Sequence, residues 1–129
     1  MARSYRELLV WQKAKSLAVD LYRETENFPK SETYGLSSQL RRAAVSVVSN
    51  IAEGQGTLTR GEFRHFLGEA RGSLLELDSQ LAIAFDLGFL QPDKFKNLEH
   101  QPYHVLGLLN RLIESMRDPA HGPIRFEAP

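Results

Sequence analysis

From Phe63 to Ala84 the apolar residues stand at Phe63, Leu67, Ala70, Leu74, Leu77, Leu81 and Ala84, in steps of four and three without a break. A strand shows alternate residues to one face, whereas this spacing draws one apolar stripe along an α-helix. The alternation is the one found in bundles whose helices cross at a shallow angle. The start of the helix is equally marked. Thr59 and Glu62 have the spacing of a capping box, and Leu58 and Phe63 occupy the N′ and N4 positions of a hydrophobic staple. Gly88 is the expected stop, which predicts a helix over 60–87.

The same period recurs on both sides. Val10, Ala14, Leu17, Leu21 and Phe28 predict a helix over 8–28, blocked by Pro29. Leu36, Leu40, Ala43 or Ala44, Val47 and Ile51 predict another over 36–53, with Gly54 and Gly56 read as the left-handed residues that end it. Phe95, Leu98, Pro102, Val105, Leu109, Leu112 and Met116 continue the pattern over 92–117, opening on Pro92; Pro102 inside it should kink or split the helix. Pro119, Gly122, Pro123 and Pro129 make 119–129 an irregular tail. No segment carries a strand period. The expected fold is all-α: one domain over 1–118, an up-down-up-down antiparallel four-helix bundle.

Composition removes whole classes of function. The chain has 129 residues and no cysteine, so disulfides, thiolate zinc sites and cysteine catalysis are absent. Sixteen basic and sixteen acidic side chains cancel, so nucleic acid or an anionic membrane would have to be met by a local patch. No stretch approaches the roughly 18 apolar residues of a membrane span, and Arg3, Arg6 and Glu7 replace the apolar core of a leader. A cytoplasmic protein with no membrane partner is the expectation.

Helix two is apolar over an arc of about 200° at 100° per residue, roughly twice what a small isolated bundle needs. Trp11, Ala18 and Tyr22 add further apolar surface beside the core line of helix one. Self-association is the expected use of this excess. The polar residues of helix two form a narrow ribbon that includes Arg42, Ser46, Asn50 and Glu53; helix three carries Glu62, Glu69 and Glu76 at heptad spacing, interleaved with Ser73 and Gln80. In a hairpin closed by 54–59, Glu53 falls near Glu62, Ser46 near Glu69 and Arg42 near Glu76. An Arg42 to Glu76 contact supported by Ser46, Ser73 and Gln80 would then fix the register. Gly72 and Ser73, small residues in mid-helix, point to a close approach by another backbone.

Chemistry finds little to work with. Glu62-Phe63-Arg64-His65 has the Glu-x-x-His spacing of di-iron bundles, but that chemistry needs two such pairs, and no second one exists. His100, His104 and His121 lack the spacing of zinc or triad sites. No enzyme, metal, cofactor or small-molecule substrate is expected. Nucleic-acid binding has modest support in Arg41, Arg42, Arg60, Arg64 and Arg71, which could converge with Lys13 and Lys15 on phosphates, although glutamates sit among them.

The run Arg42-Ala43-Ala44-Val45-Ser46-Val47-Val48-Ser49-Asn50-Ile51-Ala52-Glu53-Gly54 resembles the signature of the four-helix-bundle proteins associated with intervening sequences in bacterial 23S ribosomal RNA genes. Trp11-Gln12-Lys13-Ala14, Phe28-Pro29 with Glu32, Tyr34-Gly35-Leu36, Gln39-Leu40-Arg41-Arg42, Gly72-Ser73 with Glu76-Leu77, and Gln80-Leu81 are similar in the same order, over roughly residues 5 to 117. The family is similar in fold to the accessory variability protein of diversity-generating retroelements. The resemblance therefore implies a homopentameric ring of bundles, with structured RNA or a ribonucleoprotein as partner. Two departures stand out: the chain is neutral where the retroelement proteins are strongly basic, and Val48 stands where many members carry proline. The expected function is a non-enzymatic oligomeric binding protein; the alternative is a protein-only scaffold. For RNA the candidate residues are Arg41, Arg42, Arg60, Arg64 and Lys13. For the structural network they are Arg42, Ser46, Asn50, Glu53, Glu69, Ser73, Glu76 and Gln80.

Overall fold

The apolar stripe of the third helix is buried as its spacing requires: Leu67, Ala70, Leu74, Leu77, Leu81 and Ala84 are each at most 1% exposed. The computed structural model describes residues 4–116. Its helices are α1 (Leu9–Thr25), α2 (Leu36–Gln55), α3 (Arg60–Asp86), α4 (Pro92–Glu99) and α5 (Gln101–Ser115), with short 3-10 turns at Tyr5–Glu7 and Lys30–Glu32. No strand occurs among the described residues. The tail expected over 119–129, and the last residues of the bundle before it, lie outside them.

Helices α1 and α3 each pack on both α2 and α5, so four helices enclose one core, while α4 touches α1, α3 and α5. Leu17 and Leu21 of α1, Leu40, Val47 and Ile51 of α2, and Val105 and Leu109 of α5 meet the α3 leucines there. Burying each such side chain contributes about 1.5–3 kcal/mol. The expected fourth helix is split, and the break falls at His100, before Pro102. Pro102 sits in the first turn of α5, where a missing N–H has no intrahelical partner to lose. Helix α2 runs unbroken through Val48.

The end of α3 follows from Gly88. Its φ of +79° is the only positive value among the described residues. The N–H of Phe89 donates to the Ala84 carbonyl and that of Gly88 to Phe85, each at 2.9 Å. This is a Schellman motif. It turns the chain so that Phe89 packs on Phe28 at 5.6 Å and Phe95 stacks on Phe85 at 4.2 Å, joining α4 to the end of the bundle.

The α2–α3 connection corrects three expectations. Gly54 and Gly56 do not end α2 through left-handed backbone. The helix continues to Gln55, and Gly56 caps it at φ −84°. Gly54 is instead buried at a close approach: an added Cβ would stand 2.8 Å from Cδ1 of Phe63 and 3.1 Å from Cβ of Phe66. Half of the capping box does form, since the Thr59 hydroxyl accepts from the Glu62 N–H at 3.1 Å, while Glu62 Oε1 accepts from that hydroxyl at 3.0 Å and not from the Thr59 backbone N–H. The staple does not, because Leu58 is 97% exposed while Phe63 turns onto Gly54. The third correction concerns Gly72, where a Cβ would meet nothing within 4 Å, so no backbone approaches it within the bundle.

Part of the excess apolar surface is also covered. Trp11 and Ala18 are 8% and 9% exposed. The Tyr5 ring stands edge-on to Trp11 at 5.0 Å, and the cations of Arg6 and Lys15 lie 5.7 Å and 5.3 Å from that ring.

The two glycines should respond oppositely to alanine. Gly54→Ala should lose about 1–3 kcal/mol in urea unfolding despite its better helix propensity, because Phe63 and Phe66 must shift. Gly72→Ala should gain up to about 1 kcal/mol, the propensity difference alone.

Candidate functional site

Between α2 and α3 runs a polar seam. Ser46 and Ser73 share a hydroxyl hydrogen bond at 2.9 Å, Asn50 donates to the Ser46 hydroxyl at 3.0 Å and to its carbonyl at 2.8 Å, and Gln80 donates to Gln39 Oε1 at 3.3 Å. Ser46 thus meets Ser73 and not Glu69, one helical turn from the level expected for it, while Arg42 comes level with Leu77, one residue from Glu76. The physical reason is the approach of Phe63 and Phe66 to Gly54, which places the hairpin before any surface charge can. Arg42, Glu53, Glu69 and Glu76 are exposed outside the seam, and no Arg42 to Glu76 ion pair forms. A pair of that kind at the surface is worth at most about 1 kcal/mol, too little to set a register. Gln80 is buried, with Oε1 lacking a partner among the described residues.

Arg41 is tied to the end of α1. Its Nε donates to Thr25 Oγ1 at 2.7 Å, a terminal guanidinium nitrogen donates to the Tyr22 carbonyl at 3.0 Å, and the guanidinium stands 4.5 Å from the Tyr22 ring. Thr25, itself buried, donates its hydroxyl hydrogen bond to the Leu21 carbonyl at 2.7 Å. The Tyr22 carbonyl is one that the last turn of a helix leaves without an intrahelical partner. Arg41 thus joins two helices.

The remaining candidate cations do not form one patch. The Ser46–Ser73 register sets Arg42 level with Leu77, about 20 Å along α3 from Arg64. Lys13 is exposed on α1, which lies across the core from α3 and not beside it. What the structure does bring together is an arginine edge on α3. At 100° per residue Arg60, Arg64 and Arg71 fall within about 40° of one another, while Glu62, Glu69 and Glu76 form a second edge about 160° away. Ser73 and Gln80, beside the glutamate edge, face α2; Arg64 and Arg71 line a trough of about 480 Å³ against Asn110 and Ile113 of α5. A chain that is neutral overall therefore keeps its charges of opposite sign apart on this helix. Arg71 is recoverable from its seven-residue step to Arg64, whereas Asn110 joins the site only through the choice of α5 as neighbour.

A second groove, of about 410 Å³, lies between α1 and α2, where Ala18, Val19 and Tyr22 face Val45 and Val48. Val19, Tyr22 and Val45 are 40%, 42% and 44% exposed. This is the part of the wide apolar arc of α2 that the bundle leaves open.

Stability should separate neighbouring arginines. Arg41→Ala should lose about 1.5–3 kcal/mol in chemical denaturation, the range for a lost charge-assisted bond. Arg42→Ala should stay within about 0.5 kcal/mol of the parent.

The comparisons with known proteins agree with this architecture. The pattern of the family described as 23S rRNA-intervening sequence protein matches residues 6–111. No curated protein matches the chain. A crystal structure of a protein of unknown function from the S23 ribosomal protein family of Bacteroides thetaiotaomicron is similar in fold, with a TM-score of 0.74, at 20% identity over 82% of this chain and 99% of that one. With the match covering α1 to most of α5, the chain belongs to the 23S rRNA-intervening sequence protein family.

Proposed function

We propose that this protein is a non-enzymatic binding protein that acts in the cytoplasm as an oligomer, a homopentameric ring of up-down-up-down bundles, with structured RNA or a ribonucleoprotein as its ligand. The observation that carries the reading is the uncovered groove between α1 and α2. A bundle that buries its core leucines almost completely still leaves Val19, Tyr22 and Val45 in water, and a second copy of the chain is the partner that removes that surface in a symmetric assembly. The ligand is supported by the family, whose description names the 23S rRNA intervening sequence. Ring symmetry would repeat the arginine edge of α3 on every copy, so a neutral protomer would present several cationic edges to one polyanion. No described helix is long and apolar enough to cross a membrane.

Two measurements test the reading in its separate parts. Light scattering should give a mass near five times that of the chain, and Val45→Asp should lower it by burying a charge at the contact. A monomeric parent protein would overturn the ring. Filter binding at low salt with a structured ribosomal RNA fragment should show affinity that falls steeply as salt rises. Retention of a protein partner after nuclease treatment, with no RNA affinity, would replace the ligand by a protein.

A further inference from the structure

We propose that the trough between α3 and α5 holds a single-stranded segment of RNA, its phosphates along the arginine edge and one unpaired base on Tyr103. This rests on the RNA reading above and names its site and the form of the ligand.

The α3 wall supplies charge and room. Arg64 and Arg71 both line the trough, about 10 Å apart along the helix axis, and Arg60 continues the same edge one turn further. Gly68 and Gly72 lie between and beside them, and a Cβ added at either would meet nothing within 4 Å. Each exposed mid-helix glycine costs about 1 kcal/mol against alanine, and these two leave room for a ligand on either side of Leu75, which also lines the trough and is 47% exposed. The glutamates of α3 stand about 160° from the arginine edge, and Glu76 comes nearest the trough, one turn beyond Gly72, so the phosphates belong on the arginine side.

The α5 wall supplies recognition of a different kind. Tyr103, Gly107, Asn110 and Glu114 follow one another at steps of four, three and four, a single stripe of the helix. Asn110 and Glu114 line the trough, and Gly107 is open in the same way as the α3 glycines. Tyr103 is 62% exposed and stands about 10 Å beyond Asn110 on that stripe. An exposed aromatic at one end of a cationic groove is the arrangement that binds single strands, because every base has a face to stack while only an unpaired base can present it. Asn110 adds a donor and an acceptor for a base edge or a ribose hydroxyl. Glu114 accepts from an amino or hydroxyl group and turns a phosphate away, so it marks where a sugar or base edge passes and a phosphate does not.

The test is fluorescence anisotropy with the full-length protein and two labelled probes, an oligouridylate of about 12 nucleotides and a fully paired RNA duplex. Binding of the single strand should be tighter than that of the duplex and should weaken as salt rises from about 50 to 200 mM. Arg71→Glu and Tyr103→Ala, both at exposed positions, should each reduce affinity by about tenfold or more. Lys30→Glu, the same kind of charge change at an exposed position in the Lys30–Glu32 turn, which packs on α2 and on neither wall of the trough, should change it by less than about twofold. If the parent binds the single strand but the two trough variants behave like Lys30→Glu, the trough is overturned and the RNA reading stands. If only the duplex binds, the single-strand assignment is overturned. If neither probe binds at low salt, and structured ribosomal RNA also fails, the RNA reading itself goes.

Discussion

The seating of Phe63 and Phe66 against Gly54 is the contact on which the rest of the molecule depends. It brings the first turns of α3 against the last turns of α2 at a spacing that no larger residue at position 54 would permit. Once those turns are placed, the rigid rise of 1.5 Å per residue in both helices determines every later level of the pair. Ser46 then faces Ser73, Gln39 faces Gln80, and the leucines of α3 enter the core. The polar seam follows from this register and stabilises it. Its hydroxyl and amide pairs are each worth about 0.5–1.5 kcal/mol, too little to hold the hairpin a turn away from where the aromatic rings close.

The arginines divide according to what the packing leaves them. Arg41 lies where α2 begins and α1 ends, and its geometry is spent on Thr25 and Tyr22. Arg42, the next residue, points into water about 100° further around the helix. On α3 the arginines fall toward α5 and the glutamates toward the outer α2 edge, so zero net charge conceals a local separation of sign. Among the open surfaces of the described bundle are an apolar groove between α1 and α2 and a trough lined by arginines between α3 and α5. They lie between different helix pairs. The family's description names the 23S rRNA intervening sequence, and no cluster of side chains that could hold a metal ion occurs among the described residues.

Much of the fold was legible in the residue order because helix period, caps and breakers are local. The stripe from Leu67 to Ala84, the Thr59–Glu62 cap, the left-handed Gly88 and the break beside Pro102 all act within a few residues of themselves. Only tertiary packing could decide what depends on which helix lies next to which, and at what level. Gly54 reads equally well as a helix stop or a contact glycine until Phe63 is placed beside it. Ser46 reads as a partner for Glu69 until the packed hairpin sets it against Ser73, a turn further along α3. Arg41 and Arg42 are equivalent in composition until α1 takes one of them, and Asn110 and Tyr103 carry no signal until α5 settles against α3. The spacing of apolar residues determined that this chain makes helices and buries one stripe of each. Which polar side chains were left for binding was decided by close contacts between residues far apart in sequence, and those contacts exist only in the assembled bundle.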